Sequence, residues 1–195
     1  MIKGDKIDKC TTPEFRVSFP AVFKPTAFEG AEPKYSVTML FDKRTDISAL
    51  KALAKAALIK KWPDPASRPT TMRNPPFRDG DKEKPDVAGY ANTIFVRASS
   101  KIRPGIVDAG RNAILDETDF YAGCYARATL VAYGYDQKGN KGVAFGLQNI
   151  QKLRDGEAFS GRAKAEDDFE AVETENFLDD TPTVEGATVD DGMFG

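Results

Sequence analysis

The chain of 195 residues contains no histidine at all. That absence removes the usual general base, the partner of a serine or cysteine nucleophile, and the commonest metal ligand. Cysteine is nearly as scarce. Cys10 and Cys124 stand far apart, with no C-x-x-C pair and no zinc spacing, and read as free thiols. Long apolar runs are missing too. No stretch approaches the roughly 18 residues of a membrane span, and MIKGDKIDKC lacks the apolar centre of a signal peptide. These absences predict a cytoplasmic protein with no membrane partner.

Basic residues are absent from one end. Residues 166–195 hold 11 acidic side chains and neither Lys nor Arg. The near-balance of 28 Lys+Arg against 30 Asp+Glu therefore hides a body, residues 1–165, with 28 basic and 19 acidic residues. An excess of nine positive charges followed by an acidic tail suggests a body that binds a polyanion and a tail that serves as an interaction arm. A tail kept only for solubility would have the same composition. The expected division is a folded domain over 1–165 and an extended, disordered tail over 166–195.

What is present reads as a folded, mainly β protein. At 41% hydrophobic and 30% charged, the chain has enough apolar material for one core. EFRVSFPAVF (14–23) and KYSVTMLF (34–41) are rich in β-branched and aromatic residues, with Pro20 marking an edge or a bulge. DISALKALAKAALIKKW places Ile47, Leu50, Leu53, Ala54, Ala57, Leu58 and Trp62 at helical spacing, with Asp46 as N-cap and Pro63 as the stop. Six of the 12 prolines then fall between Pro63 and Pro85, a loop long enough to be functional. TIFVRASS (93–100), CYARATLVAYGY (124–135) and VAFGLQNIQKL (143–153) complete the strands. A turn is expected at Arg103-Pro104-Gly105 and a hairpin loop at QKGNKG. About five strands, one main helix and a long Pro-rich loop match the inventory of an OB-fold-like barrel.

Aromatic and basic residues alternate where a nucleic acid could lie. Tyr125, Arg127 and Tyr133 share one face of 124–135, and Phe95 and Arg97 share one face of 93–100. Rings stack bases while cations neutralise phosphates. Arg73, Phe77, Arg78 and Tyr90 extend the set along the Pro-rich loop. Tyrosines that merely cap a barrel end would look the same. Asp79 and Asp81, or Asp108, Asp116, Glu117 and Asp119, are the carboxylates a two-metal nuclease would need. Carboxylates beside turns are more often caps, so neither a metal, a cofactor nor a catalytic residue is expected. In the tail, Asp190, Asp191 and Phe194 form an acidic stretch with one aromatic anchor, suited to a basic groove on a partner.

TPEFRVSFPAVFKPTAFEGAEPKYSVTMLFDK resembles the opening of a bacteriophage family of single-stranded-DNA-binding proteins with a member from an Enterobacter phage. NPPFRDGD, FYAGCYARATLVAY and KGVAFGLQNIQKLRDGE are similar to further parts of its pattern, so the likeness covers most of residues 11–160. The resemblance implies an OB-fold that binds single-stranded DNA without sequence preference, in the cytoplasm of a bacterial host. It also implies an acidic tail for partners, here expected to be phage or host replication proteins, and a role in protecting single strands during replication or recombination. The alternatives left open are a metal-dependent nuclease and a scaffold protein that does not bind DNA.

Overall fold

Apolar residues at alternate positions build the long strands, because successive side chains on a strand point to opposite faces. The structure, a computed structural model, describes residues 9–27, 30–137 and 139–159, which lie in one compact unit. Its elements in chain order are β1 (Cys10–Thr11), β2 (Phe15–Thr26), β3 (Lys34–Asp42), α1 (Ser48–Lys61) and β4 (Arg78–Asp79). There follow α2 (Gly80–Glu83), β5 (Thr93–Ser100), β6 (Gly105–Val107), β7 (Tyr125–Gln137) and β8 (Asn140–Arg154).

The five long strands close on themselves. β2 pairs with β3, β3 with β5, β5 with β8, β8 with β7, and β7 returns to β2. Every pair in this ring is antiparallel except β5–β8, where Ala98 lies beside Phe145 in parallel register. Five strands so ordered, with that single parallel seam, make the OB-like barrel expected from the inventory. The helix follows the second ring strand, where the spacing puts it. Three short strands were not foreseen: β1 adds to β7, β4 to β5, and β6 to β8. Two boundaries also shift. β6 starts at Gly105, at the end of the expected turn, and the loop in QKGNKG shrinks to a reversal between the paired residues Gln137 and Asn140.

Inside the ring, Phe15 and Val17 meet Val37, Met39 and Phe41, then Val96, Ala98, Phe145 and Leu147, and finally Ala126, Ala128 and Leu130. α1 packs against this barrel with Leu50, Leu53, Ala54 and Ala57 buried. Asp46 caps it from one residue further out than expected, accepting the Ser48 N–H at 2.9 Å. The helix sits close to β7 because Gly134 has no side chain; a Cβ there would lie 2.5 Å from Lys61 Cβ.

One irregularity decides what the outer surface offers. On β2 and β3, Ser18 pairs with Thr38 and Ala21 with Ser36, so Phe19 and Pro20 together oppose the single residue Val37. This is a β-bulge at the proline that signalled one. Strict alternation would send Phe19 inward after Phe15 and Val17. The bulge instead turns it out, with φ 43° and its side chain 60% exposed.

Candidate nucleic-acid interface

The outer faces of β2, β3 and β5 form the base of a groove of about 500 Å³. Phe19 and Pro20 stand on one side, Ser36 and Thr38 line the base, and Arg78, Lys84 and Arg97 supply three cations with no acidic residue in the lining. Lys84 Nζ lies 5.5 Å from the Phe19 ring centre and 5.6 Å from that of Tyr90, within cation–π range of both. Arg78 is held by an ion pair with Glu83, with its guanidinium 4.9 Å from the Phe95 ring centre. Arg97 is exposed and reaches the Ser36 hydroxyl at 3.5 Å. Positive charge on a surface beside an open ring is the arrangement that a phosphodiester chain with unstacked bases needs.

The face continues across the barrel. Thr38 pairs with Arg97, and the register of Ala98 with Phe145 sets Arg97 beside Ala144. Tyr133 lies opposite Ala144 on the far side, 44% exposed. Nothing larger than a methyl group therefore rises from β8 between the cation and that ring. Gly146 contributes to the same shallow path, since a Cβ there would lie 2.7 Å from Val131 Cγ2.

The residues expected from sequence divide in two. Arg78, Arg97 and Tyr133 lie on this face, and Arg127 is exposed on β7 with its Nε donating to Gln151 Oε1 at 2.8 Å. Arg73 lies apart, in a recess of about 590 Å³ that it shares with Arg68, Lys141 and the β7–β8 reversal. Arg68 is fixed there by donating to the Trp62 and Pro63 carbonyls at 3.0 Å each.

Four aromatic residues of the expected set are packed against neighbours where open rings were expected. Tyr90 is buried, with its hydroxyl 3.2 Å from Ser18 Oγ and its ring edge-on to Phe95. Burial pushes its hydroxyl pKa up, against the opposing hydrogen bonds of Ser18 and Thr38. Phe95 is buried beneath Arg78, so these two rings form the floor of the groove and present no open face to a base. Phe77 packs edge-on to Phe145, closing the barrel interior. Tyr125 is covered: the Arg154 guanidinium lies 3.4 Å from its ring centre, and Glu14 holds that guanidinium in place. Segment 77–90, which itself carries Phe77 and Tyr90, folds over β5 at Phe95, and Arg154 covers β7 at Tyr125, on strand faces that look open in the strands' own sequences. Phe19, Ser36 and Thr38 were missing from the expected set; only Pro20 hinted at the bulge that exposes Phe19.

Four of the six carboxylates singled out for metal chemistry are engaged elsewhere. Lys43 Nζ lies 2.9 Å from an Asp79 oxygen and 2.6 Å from an Asp81 oxygen, and holds both carboxyls below their ordinary range. Asp108 and Asp116 accept backbone N–H groups of Asn112 and Thr118 at 2.8 Å, as turn caps do. Among the described residues, no group of three or more metal-ligating side chains stands together. Asp190, Asp191 and Phe194 lie outside the described residues.

A closed five-stranded barrel with a cationic, ring-bordered groove over the first three strands of its ring has the form of an oligonucleotide-binding OB-like domain. The match to known families is more particular: the chain belongs to the family of the Enterobacter phage Enc34 single-stranded-DNA-binding protein, whose model matches residues 8–179. Protein p50 of Acyrthosiphon pisum secondary endosymbiont phage 1 is 37% identical over 177 residues, covering 84% of this chain and 95% of p50. Among solved structures, the Enc34 protein in complex with single-stranded DNA has a TM-score of 0.69 at 24% identity, covering 80% of this chain and 91% of that one. Gp2.5 of bacteriophage T7 has a TM-score of 0.51 at 14% identity, covering 84% of this chain and 99% of that one. No helix among the described residues is long and apolar enough to cross a membrane.

Proposed function

We propose that this protein binds single-stranded DNA without sequence preference in the groove over β2, β3 and β5. The carrying observation is that groove: Arg78, Lys84 and Arg97 beside an exposed Phe19, with no acid in the lining. Cations track a phosphodiester chain irrespective of sequence, and an aromatic face accepts any base. Tyr133 offers a second ring across the shallow part of β8, so a strand running from Phe19 past Arg97 to Tyr133 meets ring, charge and ring in turn. A duplex hides its base faces and gains only the charge. Membership of the Enc34 family supports the reading, as does a fold relative solved with single-stranded DNA.

In the infected host the protein would cover single strands exposed during phage replication or recombination, without itself catalysing a reaction. The acidic residues 166–195, ending with Asp190, Asp191 and Phe194, would recruit replication partners. The direct test is titration of labelled oligo-dT and of a duplex of equal length at several salt concentrations. Oligo-dT should bind more tightly, with log affinity falling by about 0.7 per phosphate neutralised for each tenfold rise in salt. Arg97→Ala and Arg127→Ala should each flatten that slope. Equal affinity for the two DNA forms would overturn the proposal.

A further inference from the structure

Segment 155–159 crosses the outside of the barrel beyond the last strand and is tied down at several points. Arg16 donates from Nε to the Gly123 carbonyl at 3.1 Å and from an Nη to the Glu157 carbonyl at 2.7 Å. The Phe159 N–H donates to the Ala122 carbonyl at 3.0 Å, and the Arg16 guanidinium lies 4.3 Å from the Phe159 ring centre. The segment lies flush because Gly123, at φ +114°, has no side chain where the Glu157 carbonyl passes.

Phe159 itself reaches toward the groove's supports without lining the groove. Its ring packs against the buried Leu40–Tyr90–Phe95 cluster and occupies the space where a side chain on Gly89 would stand. Gly89 has φ +82° and precedes Tyr90, whose ring forms part of the groove floor. The backbone between them and Lys84 is a run of tight turns: Tyr90 N–H donates to the Val87 carbonyl at 3.1 Å and Val87 N–H to the Lys84 carbonyl at 3.2 Å. A ring wedged at Gly89 thus fixes one end of a short, hydrogen-bonded segment whose other end carries a groove cation.

We propose that Phe159 is a positioning residue of the binding groove: seated beside Gly89 and Tyr90, it sets where Lys84 stands. The proposal rests on the groove being the DNA site. With the ring removed, the 84–90 turns lose their outer support and Lys84 no longer holds its place over Phe19.

The test is a double-mutant cycle on oligo-dT affinity and its salt slope in the full chain, using Lys84→Ala, Phe159→Ala and the pair, with thermal melting to establish that each folds. Lys84→Ala should weaken binding and flatten the salt slope by about 0.7, the value of one phosphate contact. Phe159→Ala should reproduce both effects, and the double variant should bind no worse than Phe159→Ala alone, since coupled residues are not additive. Phe159→Leu, which keeps an apolar side chain beside Gly89, should restore most of the affinity, and serves in place of Phe159→Ala if that variant does not fold. Two outcomes overturn the idea separately. If Lys84→Ala leaves affinity and slope unchanged, the groove reading fails and takes this proposal with it. If Lys84→Ala acts but Phe159→Ala is additive with it or leaves the slope untouched, only the positioning role fails.

Discussion

Phe19 holds a backbone conformation that a bulky residue adopts at a cost. Its φ of 43° lies in the left-handed region, and an exposed phenylalanine recovers little burial in return. The proposed stacking of a base on this open ring would account for strain being retained beside a cationic groove. Phe19→Gly should leave the melting temperature unchanged or raise it, yet weaken oligo-dT binding by about 1–3 kcal/mol, the worth of one stacked base. Calorimetry and a binding titration on the same variant separate the two effects. A second pair divides on coverage. Tyr133→Ala should cost about 1–3 kcal/mol of binding, because its ring is open. Tyr125→Ala should lower the melting temperature and leave affinity nearly intact, because its face is occupied by Arg154. Strong loss of binding from Tyr125→Ala would place the DNA path across the Arg16–Arg154 side instead.

The elements show where sequence reading succeeds and where it stops. The long strands were legible because each carries its own inside–outside alternation, as Cys124, Ala126, Ala128 and Leu130 do on the buried face of the β7 region. β4 and β6 were not, since strands of two or three residues are defined by the neighbour they pair with. The same limit applies to the site. Arg97 and Tyr133 were legible as outward positions, but the burial of Phe95 arises from segment 77–90, Tyr90 included, folding over β5. Phe19 escaped because Pro20 announces a bulge without saying which residue it turns out. For α1 the alignment with β7 depends on Gly134, where the helix passes too closely for any side chain. Gly134→Val should push the helix off the barrel and destabilise the fold by about 1–3 kcal/mol, read as a lowered denaturant midpoint. An unchanged midpoint would show that the helix can tilt without loss.

Across the whole molecule, charge is unevenly placed. Residues 1–165 carry nine excess positive charges and residues 166–195 carry 11 acids on the same chain. We expect this tethered polyanion to compete with DNA for the cations of the body. Removing residues 166–195 should tighten oligo-dT binding at low salt, and the gain should shrink as salt screens the competition. Titrations of both chains at two ionic strengths would show it; equal affinities at low salt would exclude the tail as a competitor.

The parallel seam between β5 and β8 also governs when the protein becomes usable. During synthesis the ring stays open until the last strand leaves the ribosome, because β8 alone bridges β5 to β7. A nascent chain ending before Asn140 therefore has most of its apolar residues and two long strands with unpaired edges, the condition under which chains associate with one another. Translation stalled at that point would release a sticky fragment with an incomplete barrel. A chain ending at residue 139 should be rapidly digested by protease and found in the insoluble fraction, whereas one ending at residue 159 should be soluble and resistant. The 15 residues of β8 are thus the step that commits the barrel.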